Sequence, residues 1–213
     1  MTAVAAHTRI PHDYYPTPAW CVHRLLEEVK LPGGHWCEPA AGEGHLIRAV
    51  REVREDVWWS AIEIRPECRK PLERLGATVQ IGDALTRRWD YRPELVSVVI
   101  TNPPFSLAEH FVAKALDTAA TVALLLRLDF LGGGKRAAFF RRTPPDVHPL
   151  PNRPKFVHGR SDRWEYAWFV WRPHRDRKRG EVSVLATTPV SQRRPPRATP
   201  RFPLIQEARH AEP

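Results

Sequence analysis

The chain has 213 residues, 42% of them hydrophobic, which is enough for one sizeable α/β core plus an appendage and too little for two full domains. A net charge of +9 and a pI near 10.0 favour a polyanionic partner. No apolar stretch approaches the ~20 residues of a membrane span, and the first residues lack a charged-then-apolar secretory pattern, so a cytoplasmic protein without a membrane partner is expected.

Thr17 reads as an N-cap with Pro18 in the first turn of a helix that carries Trp20, Leu25, Leu26 and Val29 and stops at Pro32-Gly33-Gly34. Strands and helices then alternate. Residues 35–38 read as a short strand, 39–44 as a loop, and 45–53 as a helix with Leu46, Ile47, Val50 and Val53 inward. A second strand spans 57–63. Pro66 opens another helix, 77–81 make a third strand, and 95–101, β-branched and nearly all apolar, a fourth that is buried on both faces of a parallel sheet. Ser106 can cap a helix to about residue 118, with Phe111, Val112, Ala115 and Leu116 as its apolar stripe. Residues 121–128 are a fifth strand.

Beyond it the pattern changes. The stretch 132–162 is rich in Gly, Pro and Arg and reads as an inserted basic loop with one short helix at 135–142. Residues 166–171 form a further strand, and 181–186 another, joined as a hairpin by the basic turn 172–180. This completes a first domain, 1–188. The remainder, 189–213, is a basic, Pro-rich tail with no core of its own, expected to be flexible. From residue 172 onward ten Lys and Arg face four Asp and Glu, so most of the net charge lies at this end, as a solvated tail or as a phosphate-contacting arm. Cys21, Cys37 and Cys68 lack C-x-x-C spacing and read as small core residues; the ten scattered histidines suggest no metal.

The chemistry concentrates at Asn102-Pro103-Pro104-Phe105, directly after the fourth strand. An exocyclic amine on a nucleobase is conjugated with its ring and is a poor nucleophile. If the Asn102 side-chain oxygen and the Pro103 carbonyl each accept one N–H, they favour a more tetrahedral nitrogen and stabilise its developing charge. Pro103 and Pro104 hold the turn rigid and offer no competing N–H. Phe105 supplies a face on which a base can stack, an interaction worth roughly 1–3 kcal/mol. An ordinary Asn-Pro-Pro turn with a core Phe is the alternative.

Each of the first four strands finishes on a carboxylate or amide: Glu38, Glu63, Asp83 and Asn102. Together they line the ligand edge of a parallel sheet. Ala41-Gly42-Glu43-Gly44 is a glycine turn between strand and helix, whose Gly42 and Gly44 let backbone approach a ligand. Glu63 stands where a ribose-binding acid belongs, and Asp83 can accept from a cofactor adenine amine. A dinucleotide favours a third glycine where Ile47 stands, so a mononucleoside cofactor is expected.

In this order the residues resemble the S-adenosylmethionine-dependent N6-adenine DNA methyltransferases, especially small phage-type ones. Asp13-Tyr14-Tyr15-Pro16-Thr17-Pro18 looks like their N-terminal Tyr-x-Thr-Pro cofactor motif, and Glu38-Pro39-Ala40-Ala41-Gly42-Glu43-Gly44 like their glycine-rich motif. Asn102 to Phe105 resembles the catalytic motif, and residues 164–169 a late core strand. The resemblance implies a class I, Rossmann-like sheet of seven strands, mostly parallel, with an antiparallel strand in its C-terminal hairpin. It also implies S-adenosylmethionine held by Tyr15, Thr17, Pro18, Glu38, Pro39, Ala40, Gly42, Gly44, Glu63, Ile64, Asp83, Ala84 and Asn102. The implied activity is methylation of adenine N6 in flipped-out DNA, with Asn102, Pro103, Pro104 and Phe105 catalytic. Unlike classical members, the chain has no room for a separate target-recognition domain. Lys135, Arg136, Arg141, Arg142, Arg153, Lys155 and Arg160 of the inserted loop are the candidate DNA-facing cations, or a charged surface loop. RNA methylation at adenine N6 or guanine N2, protein glutamine methylation, and a catalytically inactive nucleic-acid-binding relative are the alternatives; Phe105 in place of Tyr speaks against the glutamine enzymes.

Overall fold

A computed structural model describes residues 15–89, 96–156, 164–172 and 179–193. Seven strands form one sheet in the order β3-β2-β1-β4-β5-β7-β6. They are β1 Gly34–Glu38, β2 Val57–Glu63, β3 Ala77–Ile81, β4 Val96–Thr101, β5 Thr121–Arg127, β6 Asp146–Pro149 and β7 Tyr166–Trp171. Neighbours from β3 to β5 pair in parallel, and β7 runs antiparallel to both β5 and β6. This is the mostly parallel, Rossmann-like sheet with an antiparallel strand near its C-terminal edge that the family resemblance implied.

The apolar runs explain the middle of the sheet. β4, β5 and β7 are buried along nearly their whole lengths because helices cover both faces. One face packs against α1 (Ala19–Glu28), α2 (His45–Arg51) and α3 (Arg69–Arg74), through Trp20, Leu25, Ile47 and Leu72. The other packs against α4 (Ala108–Thr118), through Phe111, Val112 and Ala115, with Trp89 beside them. The strand order reverses between β1 and β4, which opens a crevice at their carboxyl ends.

The structure corrects five local expectations. Residues 181–186 do not form a hairpin with β7; they run along the outer edge of β6, with the Val147 amide donating to the Glu181 carbonyl (2.7 Å) and the Ser183 amide to that of Val147 (3.0 Å). A strand buried on both faces needs neighbours on both sides, and β6 provides the second. The stretch 132–162 therefore holds a sheet strand as well as helix α5 (Gly134–Arg142). Val53 is 53% exposed, since α2 ends before it and the helical period stops. Pro18, not Thr17, takes the N-cap position of α1. Ser106 lies within a 3₁₀ turn, Phe105–Leu107, and α4 starts only at Ala108. Residues up to Arg193 lie back against α1, where Arg24 donates to Thr188 (3.1 Å) and Gln192 (3.0 Å). Leu95, Asp13, Tyr14, Arg160 and residues 194–213 fall outside the described residues. No helix among the described residues is long and apolar enough to cross a membrane.

Candidate active site

A cavity of about 350 Å³ opens at the β1–β4 crevice, within the range of small-molecule sites, roughly 300–1,000 Å³. One wall of it starts at the glycine turn. Gly42 and Gly44 have φ of 56° and 78°, a left-handed backbone that side chains disfavour. A Cβ on Gly44 would also lie 2.4 Å from Leu75 Cδ1, so a side chain there would have to push the Leu75 side chain aside.

Glu63, 6% exposed at the end of β2, ties this turn to the next. Its Oε2 accepts from the Gly42 amide (2.7 Å), and its Oε1 accepts from the Arg65 amide (3.0 Å) and Nε (2.8 Å). Glu38, at the end of β1, is 3% exposed, and its Oε2 is enclosed without a hydrogen-bond partner. Burial pushes its carboxyl well above the usual range, the nearby Glu63 charge adds to the rise, and the Ile47 amide offsets part of it. A cationic donor entering the cavity would supply what Glu38 lacks. His45 also faces the cavity; burial, helped by Arg48 and Arg65, lowers its pKa to about 4 and keeps it neutral.

The Asp83–Ala84 wall is pinned from outside. Asp83 Oδ1 accepts from the Leu85 amide (2.8 Å). Lys114 on α4 donates to the carbonyls of Ala84 (2.8 Å) and Leu85 (2.9 Å), and Trp89 Nε1 to that of Ala84 (2.7 Å).

Across the cavity, Asn102 sits one residue past β4. Its Nδ2 donates to the Tyr15 carbonyl (3.1 Å) and to Thr17 Oγ1 (3.2 Å). With both amide hydrogens thus directed toward the N-terminal segment, the opposite side of the amide, Oδ1, is enclosed and has no partner. Thr17 Oγ1 serves Asn102, which is why Thr17 is not the cap of α1. Pro103 is buried, and the Pro104 carbonyl accepts from the Leu107 amide (2.9 Å), closing the 3₁₀ turn.

Phe105 faces away from the cavity into an aromatic cluster. Its ring stacks on Tyr15 (centroids 6.1 Å apart, 19° between planes) and tilts against Tyr166 (5.6 Å). Phe156 packs edge-on against both Tyr15 and Tyr166.

Of the candidate residues, Tyr15, Thr17, Glu38, Pro39, Ala40, Gly42, Glu63, Ile64, Asp83, Ala84, Asn102 and Pro104 line one cavity. Pro18, Gly44, Pro103 and Phe105 do not; they shape the segments that do. His45, at the helix start whose free N–H groups the sequence offers to an anion, also lines the cavity, as do Arg65 and Phe111, which the sequence did not mark as ligand contacts. Arg65 lies two residues after Glu63, so proximity to that acid was the available signal. Phe111 was read only as core. Among the loop cations, Arg136 is spent on Glu109 (2.8 Å) and on the Phe130 carbonyl (2.9 Å), and Arg153 on Glu165 (2.6 Å). Lys135, Arg141, Arg142 and Lys155 are exposed.

No family model and no curated protein matches the sequence. Solved structures do match in three dimensions. A protein described as an RNA methyltransferase from Pyrococcus horikoshii superimposes with a TM-score of 0.57 at 17% identity, over 78% of this chain and 91% of that one. The 23S rRNA methyltransferase ErmE gives 0.55 at 16% identity, over 75% and 69%. A chain described as a modification subunit of a type I restriction enzyme from Vibrio vulnificus gives 0.55 at 13%, over 84% and 46%. At such identities the likeness is one of fold. The chain has the class I methyltransferase fold, and two buried acids, Glu38 and Glu63, line its cavity.

Proposed function

We propose that the chain transfers a methyl group from S-adenosylmethionine to N6 of adenine in DNA, with the base taken out of the duplex. The observation that carries this reading is Asn102 Oδ1, an acceptor enclosed at the cavity without a partner while its own amide hydrogens are held by Tyr15 and Thr17. A buried acceptor left unmade costs about 1–3 kcal/mol, and an exocyclic amine supplies the N–H it lacks.

The cofactor's residues divide its charges. Glu38 accepts from the ammonium of the methionine part, and Glu63, already oriented by Gly42 and Arg65, from the ribose hydroxyls. When bound, S-adenosylmethionine supplies an electrophilic methyl on its sulfonium and leaves as a neutral thioether. Asn102 Oδ1 would hold an amine hydrogen and so favour a more tetrahedral nitrogen with its lone pair free to react. The proton shed by the methylated nitrogen would pass by this acceptor to water. Lys135, Arg141 and Arg142 on α5, with Lys155, offer the phosphates positioning contacts without reading sequence.

DNA is favoured over RNA by the pairing of the Tyr-x-Thr-Pro segment with Asn-Pro-Pro-Phe. The test is to incubate the protein with methyl-labelled S-adenosylmethionine and unmethylated DNA, RNA or protein, then identify the labelled product by mass spectrometry. N6-methyldeoxyadenosine is expected. Label on a ribonucleoside would move the substrate to RNA, and label on none of the three would overturn the reading.

A further inference from the structure

Lys114 lies half-buried on α4, outside the cavity lining. All of its ammonium hydrogens nevertheless go to one loop of the cavity wall. Its Nζ donates to the carbonyls of Ala84 (2.8 Å), Leu85 (2.9 Å) and Arg87 (2.5 Å), which exhausts the donors of a lysine. The same nitrogen stands 5.5 Å from the centroid of the Trp89 ring, close enough for a cation–π contact. Burial pushes its pKa down, with Asp83 and Cys37 opposing the fall, so the charge is kept here at a cost that a plain packing residue would avoid. The bonds reach the cavity through one peptide group. The Ala84 carbonyl accepts from both Lys114 and Trp89 Nε1 (2.7 Å), filling its two lone pairs. The N–H of that same peptide group, on Leu85, donates to Asp83 Oδ1 (2.8 Å). A peptide group is planar, so fixing its carbonyl fixes the direction of its N–H, and the N–H in turn orients the Asp83 carboxylate. Asp83 and Ala84 both line the cavity, and among the described residues only Oδ1 of that carboxylate is engaged, which leaves Oδ2 for a ligand.

We propose that Lys114 is a positioning residue for the purine of the cofactor: by fixing the Ala84–Leu85 peptide it aims the Asp83 carboxylate, and so makes the cavity prefer a 6-amino purine to a 6-oxo purine. The inference rests on the S-adenosylmethionine reading and gives it a specificity element outside the lining. A 6-amino group donates to a carboxylate oxygen held in place, whereas a 6-oxo group is itself an acceptor and meets that oxygen without a hydrogen between them. Discrimination of this kind requires a polar group that cannot turn away from the wrong ligand. Asp83 alone does not meet that requirement, because it is exposed and its carboxylate is steered by a single amide. Lys114 supplies the constraint from behind, since three donors on one atom hold three carbonyls of one turn at once.

The experiment measures by calorimetry the Kd of the full chain for S-adenosylhomocysteine and for S-inosylhomocysteine, which differ only at the 6-amino edge of the purine. Wild type should bind the adenosyl form at least about tenfold more tightly, the scale of a hydrogen bond to a charged group. In Lys114→Met, which keeps the stem and loses the donors, the preference should fall to within about threefold. Lys114→Cys should behave in the same way. Alkylating its thiol with 2-bromoethylamine rebuilds an ammonium at similar reach and should restore the preference; Cys21, Cys37 and Cys68 are buried. Recovery on adding back the charge separates positioning from a fold loosened by the substitution. Lys70→Met, removing an exposed lysine from α3, should leave the preference as it is in wild type. An undiminished preference in Lys114→Met, an equal loss in Lys70→Met, or a loss in Lys114→Cys that the aminoethyl group does not repair would each overturn the proposal and leave the cofactor reading standing. Equal binding of the two compounds by wild type would do the same. Binding of neither by wild type would overturn both.

Discussion

On the β1–β2–β3 side of the cavity the polar groups are acidic and largely tied down, Glu38 and Glu63 being buried: Glu63 joins the Gly42 turn to Arg65, and the Asp83–Ala84 loop is pinned by Lys114 and Trp89. On the β4 side Asn102 Oδ1 is enclosed without a partner, and behind it, turned away from the cavity, lies an aromatic cluster with Arg127 against Phe105. On the first side only Glu38 Oε2 is left without a partner, the rest being tied up within the protein, as suits a cofactor of constant shape. The second holds its unmet acceptor beside the aromatic cluster, as suits a target that must be drawn out of another molecule. Substitutions on the two sides should therefore separate: those on the acidic side should act on cofactor binding, and those on the aromatic side on turnover.

The largest effect is expected from Asn102→Ala. It should lower kcat by at least about 10²–10³-fold, the cost of removing one preorganised group at the reacting centre, while cofactor Kd by calorimetry shifts less than about threefold. Near-normal turnover in this variant would remove Asn102 from the chemistry and collapse the distinction between the sides.

Glu63→Ala should do the reverse, raising cofactor Kd by roughly 10- to 100-fold, as expected for lost hydrogen bonds to a charged group. Glu63→Gln keeps the side chain's volume, so a matching rise there would show that the loss is not a collapsed fold.

Thr17→Val tests whether the N-terminal segment orients the Asn102 amide. Loss of one of its two acceptors should cut kcat by about three- to tenfold with KM for DNA unchanged, and Thr17→Ser should restore it. An unchanged kcat in Thr17→Val would show that the Tyr15 carbonyl suffices.

The smallest effect concerns Glu38. Burial holds its carboxyl above the ordinary 4.5, so above that pH the folded state retains a proton that the unfolded chain has lost. Stability from this group consequently falls as pH rises from 4.5 through the folded value. Glu38→Gln removes the penalty and should raise the apo-protein Tm at pH 8 by about 2–4 °C per kcal/mol relieved, with the gain vanishing below pH 4.5 and cofactor binding weakened. A Tm gain that is the same at pH 4 and pH 8 would contradict the assignment.

Much of the sheet was legible. β2 and β3 run over the residues expected because each is an apolar run bounded by turn residues, a signal contained in a few consecutive positions. β6 was not legible. Asp146-Val147-His148-Pro149 carries one large apolar residue and a proline, and it is a strand only because β7 needs a second neighbour. Glu38, Glu63 and Asn102 could be singled out as the polar residues that end apolar strands. Phe105 could be recognised as aromatic after two prolines, yet its orientation into the Tyr15–Phe156–Tyr166 cluster, away from the cavity, had no local signal.

Local pattern determined β1 to β5 and β7, which polar groups close the first of them, and that the sheet gathers those groups along one edge, because alternation, branching and turn chemistry act between near neighbours. The tertiary structure decided what each of those groups touches. That Asn102 gives its hydrogens to Tyr15 and Thr17, and that Arg127 lies against Phe105 and Trp164, depends on segments far apart in the chain. Hydrogen bonds and ring contacts are satisfied only at a few ångströms, and it is folding that sets which distant atoms come so close.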